Sequence, residues 1–237
     1  MQEKLIYQGK AKAIYYHDED SVIQEFQDSI TAFNDPTKHF FDNKGIVSCK
    51  ISTKIFEFLG KNGINTHLLS SSNPPFQIVQ KLDILPIEVT VRNSAFGGIL
   101  KRSHFKKGER LPMPLIEFMY KKDEFGDPLI PEDYVIKYLL KNNENLFYEI
   151  KQTTARINQL LISFFDKINI EIHDFKVEFG LNKNNELLLG DEISGDTCRL
   201  TDKTTGQILD KDIFRQKIGN VMDGYREILK RIEDFYG

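Results

Sequence analysis

Residues 173–180 read His-Asp-Phe-Lys-Val-Glu-Phe-Gly. A strand of that pattern turns Asp174, Lys176 and Glu178 to one face and Phe175, Val177 and Phe179 to the other. An ordinary half-buried strand carries Ser, Thr or Lys on its wet face; this one carries acid, base, acid. If residues 185–193 close a hairpin with its turn centred between Lys183 and Asn184, Lys176 faces Asp191 and Glu178 lies diagonal to it, about 7–8 Å away. Two carboxylates converging without His or Cys suit a hard cation such as Mg2+. Leu187 and Leu189 share parity with Asp191, so this reading needs a kink at Gly190. On spacing alone, a surface ion-pair ladder with Lys176 stands level with a cation site.

Other residues point to anions. Gly9-Lys10-Ala11-Lys12 sits at a strand-to-strand turn, where glycine permits close backbone approach and two lysines suit nucleotide phosphates. No helix follows, so it is not a P-loop, and taken alone it reads as a solvated turn. Arg92 ends an alternating strand before Asn93-Ser94-Ala95-Phe96-Gly97-Gly98, Arg199 lies in Gly195-Asp196-Thr197-Cys198-Arg199-Leu200, and Arg215 follows Asp212-Ile213-Phe214. Arginine recognises phosphate or carboxylate in bidentate fashion, and three beside glycine-rich or acidic turns form a set. The five histidines show no zinc spacing, His173 reads as packing or solvated, Cys198 as structural, and the basic run 101–110 as a solvated loop.

These residues need a scaffold. Two short strands flank Gly9, a third follows in Ser21–Asp28, and residues 31–45 read as a loop around Asn34-Asp35-Pro36. Val47, Ile51, Ile55 and Leu59 recur every fourth residue, one face of a helix ended by Gly60 to Gly63. Strands flank Pro74-Pro75, and further strands cover residues 86–93 and 115–120. Helices are expected over 131–140, 145–168 and 213–235, with the acidic hairpin between the last two. The order is no βαβ alternation and predicts an α+β fold of two lobes with antiparallel sheets: residues 1–83 as a smaller lobe and 84–237 as a larger one.

A chain of 237 residues buries enough surface to fold without disulfides, and its 40% hydrophobic and 28% charged content is that of a globular protein. A net charge of −3 gives no global field for nucleic acid. Two cysteines, no apolar core in MQEKLIYQGKAK and no run near the ~18 apolar residues of a membrane span predict a soluble, cytoplasmic protein.

Taken together, YQGKAK, TAFNDPTKHFFDNKG, LPIEVTVRNSAFGG, FMYKKDEFGDP, IHDFKVEFG, LLLGDEISGDTCRLTD and DKDIFRQ, in this order over nearly the whole length, resemble the phosphoribosylaminoimidazole-succinocarboxamide synthase (SAICAR synthetase) family. The resemblance implies two α+β lobes with nucleotide in the cleft between them. It also implies ATP-dependent joining of L-aspartate to carboxyaminoimidazole ribonucleotide (CAIR), with Mg2+, and leaves room for a homo-oligomer. It places Lys10, Ala11 and Lys12 on the ATP phosphates with Lys121 nearby, Glu178 and Asp191 on magnesium, and Arg92, Arg199 and Arg215 on substrate phosphate and carboxylates. Asp35, Lys44, Asp127, Asp174 and Lys176 match other active-site positions, Asp174, Lys176 and Arg199 being the catalytic candidates. Gly98 stands where the family has serine, so backbone N–H groups at Gly97 and Gly98 are expected to hold CAIR instead. Gly195 and Thr201 replace the family's Pro and Trp.

Two other classes fit parts of this pattern. A small-molecule kinase or different carboxylate–amine ligase would keep the lysines and acids but not Arg199 and Arg215. A non-catalytic nucleotide-binding module could lack one of the two metal acids, and both are present.

Overall fold

The structure, a computed structural model, describes residues 4–32 and 35–237. Strands β1 (Leu5–Gln8), β2 (Lys12–Tyr16) and β3 (Ser21–Phe26) form a meander, followed by the hairpin β4 (Ser29–Ala32) and β5 (Asp35–Phe40). Helix α1 (Lys44–Lys61) leads to β6 (Leu68–Asn73) and β7 (Phe76–Gln80), giving a first sheet of order β1-β2-β3-β7-β6. The second sheet draws on β8 (Asp83–Ser94), β9 (Arg110–Tyr120), β10 (Leu129–Ile130), β11 (Ile170–Leu181), β12 (Leu187–Gly190) and β13 (Cys198–Asp202), in the order β10-β9-β8-β11-β12. Strand β13 also pairs with β11, so β12 and β13 lie end to end along one edge of it. The helices α2 (Glu132–Tyr134), α3 (Glu144–Asp166), α4 (Asp212–Arg215) and α5 (Val221–Tyr236) complete an α+β fold in which the strands of both sheets pair antiparallel.

The apolar stripe of α1 forms because Val47, Ile51, Ile55 and Leu59 are all buried in the main core, together with Phe175, Val177 and Phe179 from the inner face of β11. The start of α1 is pinned from outside: the Asp28 carboxylate accepts from Asn43 N at 3.2 Å and from Gly45 N at 2.8 Å. Gly45 admits no side chain, since a Cβ would fall 2.2 Å from the Phe26 carbonyl oxygen. The two sheets are joined at β12. Leu189 N donates to Asn65 O and His67 N to Leu189 O, both at 2.9 Å, so the chain before β6 runs beside β12.

Two expectations are corrected and a third is refined. Within the segment expected to be a loop, residues 31–32 and 35–40 belong to strands β4 and β5, which pair antiparallel with Ser29 opposite Phe40 and Ile30 opposite His39. The last helix is two: Lys217 takes a φ of 55°, and Asn220 starts α5 afresh by accepting from Met222 N at 3.1 Å. The 131–140 helix is present but changes winding, one α turn at Glu132–Tyr134 passing directly into a π-helix at Val135–Leu139.

Candidate active site

The register of the acidic hairpin differs by one residue from the expected one. Glu178 stands opposite Gly190, so Lys176 does not face Asp191 across the ladder. The shift alone would not place the Asp191 side chain, because Asp191 lies past the end of β12 with φ 59°, in the left-handed region. The parity objection is met at Asp191 itself rather than by a kink at Gly190. A non-glycine residue held in this region costs about 1–2 kcal/mol and persists where its surroundings fix it. Here Lys12 grips the carboxylate, Lys176 Nζ lies 3.5 Å away, and Gln24 donates to the Asp191 carbonyl at 3.3 Å.

Around this point charges alternate. On the other side of β11, Glu178 sits directly opposite Glu88 of β8, two like charges face to face. Lys176 resolves the conflict, reaching Glu178 at 2.7 Å and Glu88 at 3.0 Å, while Lys121 also grips Glu178. Lys12 continues the chain to Glu192 at 3.2 Å. Burial pushes Glu88 above the usual carboxylate range; Lys176 opposes that and Glu178 adds to it. For Asp191 burial is outweighed by Lys12, Lys176 and Lys121, which hold it well below that range. Burial likewise disfavours charge on Lys12, yet Asp191 and Glu192 keep it above its normal value.

One turn of the pleat away, the same face of β11 carries an arginine cluster. Asp174 pairs in register with Arg92 and with Arg199, and both guanidinium groups grip its carboxylate, at 3.1 Å and 2.8 Å. Arg92 also donates to Glu117 at 2.7 Å and to the Phe96 carbonyl at 3.1 Å. Arg102 closes on Glu117 from the far side with bonds of 2.6 and 2.8 Å. Arg199 Nε donates to Asp212 at 3.0 Å, and Arg215 to the other Asp212 oxygen at 2.6 Å. Four cations and three carboxylates therefore alternate from Arg102 to Arg215. Among the described residues no acceptor takes Nη2 of Arg92 or Arg199. Gly97, at φ +63°, lies against Arg199; a Cβ there would fall 2.9 Å from Arg199 Nη2, whereas Gly98 has open space.

The remaining candidates divide. Lys10 crosses to Asp123 at 2.7 Å, with both side chains exposed, and its carbonyl accepts from Ser29 Oγ at 2.7 Å. Ala11 is tied through its carbonyl to Gln27 N at 2.8 Å. Asp127 holds the turn after Lys121 by accepting from Lys122 N at 2.9 Å. Lys44 is sealed at 1% exposure against Asp196. The side chain of Asp35 lies outside the described residues. His173 is packed, bonded to Ser94 and Thr201 hydroxyls and lying 4.5 Å from the Phe96 ring, and burial pushes the Cys198 thiol far above its usual range. A cavity of about 540 Å³ beside the Gly9 turn, lined by Gln8, Gln27, Asp28, Lys38 and Phe40 among others, contains none of the clustered acids and arginines.

A family model for SAICAR synthetase matches residues 5–232. The chain belongs to the SAICAR synthetase family. A phosphoribosylaminoimidazole-succinocarboxamide synthase of Campylobacter jejuni subsp. doylei is 46% identical over 231 residues, 97% of this chain and 98% of that protein. A crystal structure of the corresponding Ehrlichia chaffeensis protein matches with a TM-score of 0.93 at 40% identity, covering 97% of this chain and 98% of that one. A SAICAR synthetase (type 2) in complex with ADP matches with a TM-score of 0.91 at 38% identity over 97% of each chain. Members of the SAICAR synthetase family are ligases of purine biosynthesis, and this chain is one of them.

Sequence reading missed Arg102, Glu117, Glu192, Asp196 and Asp212. Arg102 lies in the run read as a solvated loop, and a half-exposed arginine gives no sign in sequence of the carboxylate it will clasp. Glu117 did leave a signal, being the one acid in Leu115–Tyr120.

Proposed function

We propose that this chain joins L-aspartate to the carboxylate of CAIR, giving SAICAR, ADP and phosphate from ATP. The observation that carries the reading is the face of β11. Asp174 organises arginines at one end, Glu178 organises lysines at the other, and four residues of strand put the two about 13 Å apart. That span suits a ribonucleotide phosphate on Arg92, Arg199 and Arg215 while the CAIR carboxylate approaches a triphosphate held by Lys10, Lys12 and Lys121, with the Ala11 backbone beside it. Gly97 and Gly98 would bring backbone N–H groups to CAIR.

The donor set also fits magnesium. Among the described residues no three His, Cys, Asp or Glu side chains converge as a complete cage. Mg2+ is ordinarily held by one or two carboxylates plus phosphate oxygens and water, and both Glu178 and Asp191 lie within reach of one Lys176 ammonium. Glu178 and Asp191 would hold the ion, which supplies charge neutralisation on the phosphates. Lys176 tempers repulsion between the two acids.

A carboxylate has no leaving group, so amide formation calls for activation. A CAIR carboxylate oxygen attacks the γ-phosphorus and ADP departs; the aspartate amine then attacks the acyl carbon and phosphate departs. The protein contributes positioning and a preorganised cationic field, since every reactant is anionic. In this reading residues 1–83 form the smaller, nucleotide-binding lobe and 84–237 the substrate and metal lobe. Free, buried Cys49 and Cys198 suit a reducing cytoplasm, and among the described residues no helix is long and apolar enough to cross a membrane.

The test is ADP release in the presence of ATP, CAIR and L-aspartate, with each omitted in turn. The expected result is dependence on all three. ADP formation that persists without CAIR or without aspartate points to a kinase or ATPase.

A further inference from the structure

Asp196 sits among more positive charge than it balances. Its side chain is 6% exposed, with Lys44 Nζ on one oxygen and Lys211 Nζ 3.7 Å from the other, which also accepts from the Tyr225 hydroxyl at 3.1 Å. These partners come from three places: the first residue of α1, the residue before α4, and α5. Gly195 makes the approach possible, because a Cβ there would fall 2.5 Å from the Tyr225 ring. Burial raises the Asp196 pKa, but Lys44 and Lys211 outweigh it and hold the carboxyl at about 2. One anion therefore faces two ammonium groups largely withdrawn from water, a surplus of one positive charge.

The two lysines are not equivalent. Lys44 is sealed at 1%, so it acts on Asp196 and not on a ligand. Lys211 keeps 13% of its side chain exposed, and 3.7 Å is longer than a hydrogen bond, so Asp196 leaves its three donors unsaturated. The other nearby acid, Glu192, is already engaged by Lys12 at 3.2 Å and by Ser194 Oγ at 2.7 Å. Burial lowers the Lys211 pKa and the Arg215 and Lys44 charges lower it further, while Asp196 and Glu192 oppose this; the net direction is down. An arriving anion would relieve that imbalance. The group lies between the two halves of the site: Lys211 N donates to Gly195 O at 3.1 Å, in the loop joining Asp191 and Glu192 to Arg199, and Lys211 itself precedes Asp212.

We propose that Lys211 Nζ anchors one carboxylate of the amine substrate, with Asp196, Tyr225 and Lys44 as the frame that aims it. A surplus of one charge on a single ammonium matches a carboxylate monoanion; the arginine cluster, with four cations to three carboxylates, carries the same surplus but offers the Nη2 donors of two neighbouring guanidinium groups, which suit phosphate. The inference rests on L-aspartate being that substrate, and the experiment separates the two. Wild-type protein that consumes no L-aspartate overturns the functional reading itself.

With wild-type turnover established, Lys211→Met and Lys211→Arg are compared for KM of L-aspartate, CAIR and ATP. Loss of a charge-assisted hydrogen bond is expected to raise the aspartate KM about tenfold or more in Lys211→Met, with the other two KM values within about twofold and kcat at saturating aspartate largely kept. Lys211→Arg should recover most of the loss. If Lys211→Met does not fold, Lys211→Gln gives the same comparison. An unchanged aspartate KM, a rise in the CAIR KM instead, or a fall in kcat without a KM split would each overturn the proposal.

Discussion

Arg92 and Asp174 stand directly opposite one another on neighbouring strands, and Nη1 of Arg92 donates to the carboxylate at 3.1 Å. Both are buried, at 5% and 4% exposure. Burial raises the Asp174 pKa even though Arg199 and Arg92 pull it down, so this carboxylate is held charged against a desolvation penalty. What the arrangement secures is direction: one carboxylate fixes two guanidinium groups side by side.

Asp174→Asn keeps the shape and removes the charge shared by both arginines. Breaking a buried pair typically costs about 3–5 kcal/mol, and the lower end is expected because Arg92 keeps Glu117 and Arg199 keeps Asp212. Denaturant unfolding should show a loss of about 3 kcal/mol. Steady-state kinetics should show a raised KM for CAIR with little change for ATP. An equal rise in both would mean that Asp174 supports the fold without aiming the arginines.

Gly97 and Gly98 should behave differently although they are adjacent. Gly97→Ala places a Cβ on Arg199 Nη2 in a left-handed backbone, about 1–2 kcal/mol of strain before any displacement of the arginine. Gly98→Ser adds a side chain in open space and should change CAIR affinity by no more than one net hydrogen bond, about 1 kcal/mol. CAIR titration of both variants checks this, and a larger defect at Gly98 than at Gly97 would contradict it.

The strands and the first helix were legible because their apolar residues repeat with the period of the element: Val47, Ile51, Ile55 and Leu59 in α1, and Phe175, Val177 and Phe179 in β11. The acid-base-acid face was legible for the same reason. Register was not, because a one-residue shift in a hairpin leaves local composition unchanged, and the left-handed turn at Asp191 has no marker in a non-glycine residue. The partners that aim the site were also hidden. Glu117, Arg102, Asp212 and Asp196 meet oppositely charged partners distant in sequence, such as Arg92 and Glu117 at 25 positions apart, and only the fold brings them together.

Asp210 gives a pH-dependent stability. It is 1% exposed and accepts from Leu200 N and Asp212 N, each at 2.7 Å. Burial dominates, opposed by those two backbone donors, and pushes the carboxyl up to about 7 from a reference of 3.8. An acid whose folded pKa is raised binds more protons folded than unfolded between those values. Its contribution therefore falls as pH rises from about 4 through 7. Relative to Asp210→Asn, which removes the titration at the cost of a constant offset from the misplaced amide, wild type should lose about 2 kcal/mol between pH 5 and pH 7. Urea unfolding of both proteins across that range measures the difference. A pH-independent gap would place the Asp210 pKa back in the ordinary range.

Glu178→Gln and Asp191→Asn test the acidic face directly. Each removes one charge from a lattice in which Lys176 touches both acids, at 2.7 and 3.5 Å. If the two hold Mg2+ on ATP, each variant should need more magnesium for half-maximal turnover and lose orders of magnitude in rate, since charge neutralisation on the phosphates is lost. The double variant should lose much less than the product of the single effects, because both residues act through one ion. A purely structural ion-pair network predicts the opposite pattern. Glu178 and Asp191 are withdrawn from water, with side chains 4% and 14% exposed, so as structural partners of Lys176 their loss would be read in stability, about 3–5 kcal/mol for a broken buried pair, with the magnesium dependence as in wild type. Asp191→Asn carries one further signature. Its left-handed backbone is well tolerated by Asn, so a loss of magnesium affinity in that variant with an unchanged melting temperature would assign the effect to the missing charge and not to the turn.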